Sequence, residues 1–239
     1  MKVARTLTGL SVALATSISA ANTWNAASDF SANSNPNGSW TYGYYLLYGA
    51  PGLDLPEGPA AFITLTSSEI GSSYSSWLTP SEISALNITH FENQAYLTIV
   101  AGLAPLTAFY APVVRWTASS SGQYHIQADF EYSGLGAAKA PTSQVGLRVD
   151  DLTLSYAYIG GPDSSLHISQ DLNLATGQNL DFFVAKDQHA IKLISVVSAI
   201  PEPSTYLLLF LGIATLGMRL LTYRSTGYFA AVQVWALKA

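Results

Sequence analysis

The sequence predicts an all-β protein: a jelly-roll-like β-sandwich with an N-terminal signal peptide and one C-terminal transmembrane helix. Three observations lead there. Residues 123–132 alternate completely, with Tyr124, Ile126, Ala128, Phe130 and Tyr132 on one face and Gln123, His125, Gln127, Asp129 and Glu131 on the other. A period of two marks an antiparallel strand with one wet face. About ten short β-rich runs lie between turn signals, with no long helical period before residue 204, a pattern of sandwiches rather than α/β enzymes. Each end of the chain carries an apolar run with basic residues beside it: Lys2 and Arg5 at one end, Arg219 and Arg224 at the other.

Residues 1–21 open with Lys2 and Arg5, continue through an apolar core from Leu7 to Ile18, and close on Ser19, Ala20 and Ala21. That order is a secretory signal peptide cleaved after Ala21, so the mature chain is expected to be exported. Asn35-Pro36-Asn37-Gly38 is a turn, because proline presets one dihedral and Asn-Gly tolerates positive φ. Residues 39–48 come next as a strand dense in aromatics. Residues 51–59 hold three prolines and form a loop, and 60–66 is the next strand. Thr79-Pro80-Ser81-Glu82 has capping-box spacing with proline at the first helical position, which predicts one helical turn. Further strands are expected at 96–100, 113–117, 123–132, 144–149, 152–159, 166–174, 180–184 and 191–197. Asp150-Asp151 is a hairpin-like link, and Gly160-Gly161-Pro162-Asp163 breaks the pattern again. Together these runs define one domain, residues 22–199, long enough to bury a sizeable core.

Charge narrows the partners. All fifteen Asp and Glu lie between Asp29 and Glu202, against five of the ten Lys and Arg, so the centre stands near −10 while both ends are basic. An acidic domain with scattered cations offers no footprint for a phosphate backbone, so no nucleic-acid partner is expected. Cysteine is absent, which removes disulfides, thiolate nucleophiles and cysteine-ligated metals.

The C-terminal part is organised by Pro201-Glu202-Pro203-Ser204-Thr205. Proline donates no backbone hydrogen bond and biases its predecessor toward extended geometry, so two prolines around one glutamate make a hinge outside any helix interior. Residues 204–221 behind it are about long enough to enter a bilayer, where roughly 17–25 residues suffice. Arg219 and Arg224 then fall on the cytoplasmic side, with Arg219 snorkelling to the interface. Hinge, apolar segment and arginines together resemble the PEP-CTERM protein-sorting signal, over residues 200–224, with 225–239 as an atypical tail. The resemblance implies an exosortase-type processing enzyme as partner, cleavage near the Pro-Glu-Pro hinge, and delivery toward the envelope or an extracellular polymer matrix. Residues 35–43, 113–118, 122–126 and 174–184 are similar to the sandwich domain such proteins often carry, itself similar in outline to carbohydrate-binding modules.

Motifs of catalysis are missing from the sequence. There is no Gly-x-Ser-x-Gly elbow, no phosphate loop and no His-Glu-x-x-His, and His90, His125, His167 and His189 stand far apart. Asp129 and Glu131 share one outer strand face, whereas a glycosidase needs two carboxylates across a scissile bond. No catalytic residue and no cofactor are assigned. A structural calcium ion, with ligands drawn from Asp29, Asp150, Asp151 or Asp163, is the one metal alternative, since hard cations choose carboxylates and loop carbonyls. Trp40, Tyr42 and Tyr44 share one face of an extended strand. They form either a sugar-stacking platform or a buried core face, and Trp116 is core by the same logic. The expected function is that of an exported, non-catalytic cell-surface or matrix protein in contact with the membrane. The alternatives are a module recognising an exopolysaccharide and a glycan-active hydrolase.

Overall fold

The computed structural model describes residues 22–48, 58, 60–79, 86–103, 108–134, 142–185, 190–201 and 213–214. The expected signal peptide, the hinge from Glu202 onward, the apolar segment apart from 213–214, the tail, and the helical turn beyond Thr79 lie outside these residues. Among the described residues no helix is long and apolar enough to cross a membrane.

Among the described residues fifteen strands succeed one another: β1 (Thr23–Asn25), β2 (Trp40–Tyr48), β3 (Phe62–Thr64), β4 (Ser67–Ile70), β5 (Tyr74–Leu78), β6 (Asn87–Phe91), β7 (Leu97–Val100), β8 (Gly102–Leu103), β9 (Ala108–Thr117), β10 (Gly122–Tyr132), β11 (Ser143–Val149), β12 (Leu152–Ile159), β13 (Ser165–Leu174), β14 (Asn179–Ala185) and β15 (Ala190–Ala199). They form two packed sheets. The first runs β13-β10-β15-β7-β6-β5-β4, with β1 also on β15. The second runs β12-β11-β14-β9-β2-β3, with β8 also on β9. On one edge of β15, β7 pairs with Ala190 to Leu193 and β1 with Val196 to Ser198.

The alternation of β10 is realised. Tyr124, Ile126, Ala128 and Phe130 are buried, and their odd-numbered neighbours face outward. They meet Leu180, Phe182 and Val184 of β14, Trp116 of β9, and Trp40 and Tyr42 of β2 in one core between the sheets. Burying a side chain such as Phe130 contributes about 1.5–3 kcal/mol. Trp116 sits at its centre, 5.2 Å from the Trp24 ring and 5.0 Å from Tyr124, both edge-on, the favoured geometry for aromatic pairs.

The second sheet is covered on its outer face as well. Tyr45, Leu47, Ala111, Val113, Phe183 and Ala185 form a separate cluster there, with Ala60 and Phe62 packed on it. Strands covered on both faces lose their polar–apolar alternation, which is why β2 and β14 read as continuous apolar runs. The cover sits tightly on the sheet: a Cβ at Gly43 would stand 2.3 Å from Cζ of Phe62.

Two strands that frame this cover depend on side-chain hydrogen bonds. Asn35, at the predicted turn, donates to the carbonyls of Tyr42 at 2.7 Å and Leu65 at 2.8 Å, and accepts from the Tyr42 amide at 2.8 Å. Where the sequence predicts one strand at 60–66, β3 ends at Thr64, and Asn35 ties Leu65 back to Tyr42 of β2. β4, β5 and β6 were not expected, because serine in β4 and β5 and asparagine in β6 dilute their apolar pattern. Trp77 and Ile88, paired across β5 and β6, supply the burial, and Ser76 and Thr89 satisfy each other at 2.8 Å.

Candidate functional site at the hinge pole

The last residues of β15 place the hinge. The Ala199 amide donates to the Asn22 carbonyl at 2.9 Å, and the Ile200 amide to the Gln123 carbonyl at 2.8 Å. Pro201, the next residue, is exposed. The chain therefore leaves the sheet within one residue of its last backbone hydrogen bond. Asn22, the first residue expected after signal-peptide cleavage, lies at the same pole. Beside it opens a cleft of about 540 Å³, lined among others by Ser121, Gln123, Asn173, Gln178, Ile200 and Pro201. Ser121 and Thr176 hydroxyls lie 3.2 Å apart at its rim. The lining is uncharged and rich in amides. Of the predicted sorting residues, the structure places Pro201 here; Glu202, Pro203, Ser204, Thr205, Arg219 and Arg224 are outside the described residues.

Of the two readings open for Trp40, Tyr42 and Tyr44, sugar-stacking platform or buried core face, the structure places Trp40 and Tyr42 in the core. Trp40 is 1% exposed and Tyr42 0%, so neither ring offers a face to a ligand. Their polar tips are satisfied inside: Trp40 Nε1 donates to Asp29 at 3.2 Å and the Tyr42 hydroxyl to the Ala26 carbonyl at 3.3 Å. Burial, with the Asp29 charge second, pushes the Tyr42 hydroxyl far above its ordinary pKa. Tyr44 is half-buried and stands edge-on to Tyr110 at 5.1 Å. The physical reason is that this face of β2 meets the first sheet.

The candidate calcium ligands Asp150 and Asp151 stand apart from Asp163. Asp150 and Asp151 precede β12 and Asp163 comes after it, so eight extended residues, about 26 Å, lie between them. Asp150 is already engaged, accepting from the Asn179 amide and the Gln178 side chain, each at 3.1 Å. Among the described residues no group of three or more His, Asp or Glu is placed to hold a metal ion. The outward carboxylates of β10 are likewise divided. Asp129 meets His167 Nδ1 at 2.5 Å, His125 meets Asp171 at 2.6 Å, and Glu131 stands opposite Lys192 in register.

Sequence reasoning missed a charged cluster on the outer face of the second sheet. Arg115 donates through Nε and Nη2 to Asp181 at 2.7 and 2.8 Å, and the Tyr45 hydroxyl donates to the same carboxylate. Asp181 is fully buried and the Arg115 side chain 18% exposed. Burial opposes the Arg115 charge, but the hydrogen bonds and charge of Asp181 outweigh it and hold the guanidinium above its usual pKa. The Tyr45 hydroxyl is pushed up first by burial and then by Asp181. Arg115 lies 3.7 Å over the Phe62 ring, and Arg148, buried, lies 5.2 Å over Tyr45. Arg148 Nη2 donates to the carbonyls of Gly58 at 2.6 Å and Asp151 at 2.8 Å. The cluster pins the outer cover to the sheet. No local pattern announces it, because Arg115 and Asp181 are 66 residues apart.

Among the described residues, four exposed large apolar side chains lie on β12. Leu152, Leu154, Tyr156 and Tyr158 are 60, 37, 53 and 42% exposed, while the residues between them turn inward. The Tyr156 and Tyr158 rings are 6.0 Å apart and nearly perpendicular, at 86°.

No curated protein matches the chain. Among solved structures, a family 35 carbohydrate-binding module from Clostridium thermocellum is 13% identical, with 52% of this chain and 87% of that one covered and a TM-score of 0.25. The GH26-CBM35 β-(1,4)-mannanase of Podospora anserina is 9% identical, with 68% of this chain and 29% of that one covered and a TM-score of 0.26. At such scores the sandwich rests on its own strand pairing. Residues 199–224 match the PEP-CTERM protein-sorting motif, so this segment carries the sorting signal that its hinge, apolar run and arginines resemble.

Proposed function

We propose that this chain is an exported, non-catalytic protein whose β-sandwich is displayed at the cell surface or in an extracellular polymer matrix. It is held first by its C-terminal segment and then transferred by a processing enzyme acting at the hinge. The observation that carries this reading is a coincidence of boundaries. The sorting motif begins at Ala199, the last residue of β15. A cut anywhere from Pro201 onward therefore leaves every described strand intact. Ala199 is hydrogen-bonded to Asn22, so both basic, apolar ends depart from one pole. A single membrane can hold both while the acidic sandwich stands outside it, the orientation the positive-inside rule favours.

Replacing Glu202 by alanine in the full-length chain, in a host that makes the processing enzyme, tests the reading. The expected result is a longer form retained in the membrane fraction, with its sandwich still protease-resistant. The same mobility and the same surface fraction as wild type would remove the hinge from sorting. The alternative of polysaccharide recognition draws no support from Trp40 and Tyr42, whose rings are buried.

A further inference from the structure

We propose that the cleft beside the hinge binds a neutral glycan, held by the paired carboxamides of Gln123 and Asn173. Its volume of about 540 Å³ falls within the range of about 300–1,000 Å³ that small-ligand pockets occupy. Gln123 and Asn173 stand directly opposite each other in the register of β10 and β13, which sets their Cβ atoms about 4.5–5.5 Å apart. Both are exposed on the outer face of the first sheet. Among the described residues neither carboxamide is hydrogen-bonded. The pair therefore offers carbonyl acceptors and NH₂ donors side by side. Neighbouring sugar hydroxyls, each at once donor and acceptor, match that set.

The walls around this pair are held in place by the fold. Gln178 Oε1 accepts from the Ala175 amide at 2.7 Å while its Nε2 donates to Asp150 at 3.1 Å. Ser121 Oγ accepts from the Thr176 amide at 3.0 Å. On the other side the Ile200 amide is bound to the Gln123 carbonyl at 2.8 Å, and Ile200 and Pro201 give the C–H face of a sugar ring an apolar surface to lie on. Walls already ordered lower the cost of binding. The lining also sets the class of ligand. None of its nine residues is charged, so it has no Arg or Lys to meet a uronate, sulfate or phosphate. The central region stands near −10 (5 minus 15) and repels such groups. All nine residues precede Glu202. The cleft is whole in the uncut chain and after a cut behind Pro201, so glycan binding stands or falls apart from the sorting reading.

The test applies the full-length chain in detergent to an array of neutral and uronic-acid glycans. Wild type should be retained on neutral glycans and not on uronic-acid ones. Gln123→Ala combined with Asn173→Ala should lower that retention at least tenfold with unchanged thermal unfolding, because both side chains are exposed. Gly122→Leu should lower it as far by filling the cleft, since a Cβ at Gly122 meets no heavy atom within 4 Å. Tyr156→Lys, on β12, should bind as wild type does. The proposal is overturned if wild type binds no neutral glycan, if it binds uronic-acid glycans better, or if the double alanine variant keeps wild-type retention. It is equally overturned if Tyr156→Lys abolishes binding, which would put the sugar on the aromatic stripe of β12.

Discussion

Replacing Asp181 with alanine tests how the outer cover is held to the second sheet. Asp181 receives two hydrogen bonds from Arg115 and one from Tyr45, and it is fully buried. Without it, Arg115 and Arg148 remain as two cations beside a buried phenol, with no carboxylate between them. Removing one partner of a buried pair costs about 3–5 kcal/mol, whereas replacing the whole pair by apolar groups of similar volume is close to neutral. The 18% exposure of Arg115 points to the lower half of that range, since water reaches the stranded guanidinium. A domain of about 150–250 residues shifts its Tm by about 2–4 °C per kcal/mol, so Asp181→Ala should lower Tm by about 6–16 °C. The double change Asp181→Leu with Arg115→Met should recover most of that loss. Thermal unfolding followed by tryptophan fluorescence reads both. A drop below about 2 °C for Asp181→Ala, or a double variant as unstable as the single one, would show that the cluster does not hold the cover.

Three further outcomes rest on the same structure. Gly146→Ala should destabilise by about 1–3 kcal/mol, seen as a lower urea midpoint, because its Cβ would meet the Ser155 carbonyl at 2.3 Å and the Phe183 ring at 2.9 Å. Asn35→Ala removes three hydrogen bonds at 2.7–2.8 Å; at about 0.5–1.5 kcal/mol each, it should cost about 2–4 kcal/mol in equilibrium unfolding and open the junction of β2 and β3 to hydrogen exchange. Alkaline pH should unfold the domain through its buried phenols. Tyr45 and Tyr42 are raised above their ordinary 10.0, so the folded state keeps protons that the unfolded state releases. Stability is then full below about pH 10 and falls as pH rises beyond it. Tyr45→Phe should flatten that fall in urea midpoints taken at pH 9 and pH 11, and an unchanged slope would contradict the assigned burial.

The sequence makes some elements plain and hides others for physical reasons. β10 and β12 were legible because each has one wet face, and period two records that difference. The same period placed Trp40, Tyr42 and Tyr44 on one side of β2 without saying which side is wet. Both sides are dry, since Tyr45 and Leu47 on the opposite face are buried under Phe62 and Ala60. The exposed aromatic stripe lies on β12 instead, where the strand was foreseen but its edge position was not, because edge position is a property of the whole sheet. β5 and β6 stayed hidden because serine and asparagine mask Trp77 and Ile88. The cluster of Arg115, Asp181, Tyr45 and Arg148 joins four strands, and nothing local in any of them reports the others. The hinge was legible throughout, since Pro201-Glu202-Pro203 excludes helix by chemistry alone; the structure adds that the sheet continues to its doorstep.

The most direct test of the proposed sorting is mass spectrometry of both ends of the mature protein, recovered from a cell that makes the processing enzyme. A protein that begins at Asn22 and ends between Pro201 and Ser204 is the expected product, with every described strand of the sandwich retained. A chain that still ends at Ala239 would contradict transfer at the hinge and make the C-terminal segment a permanent anchor.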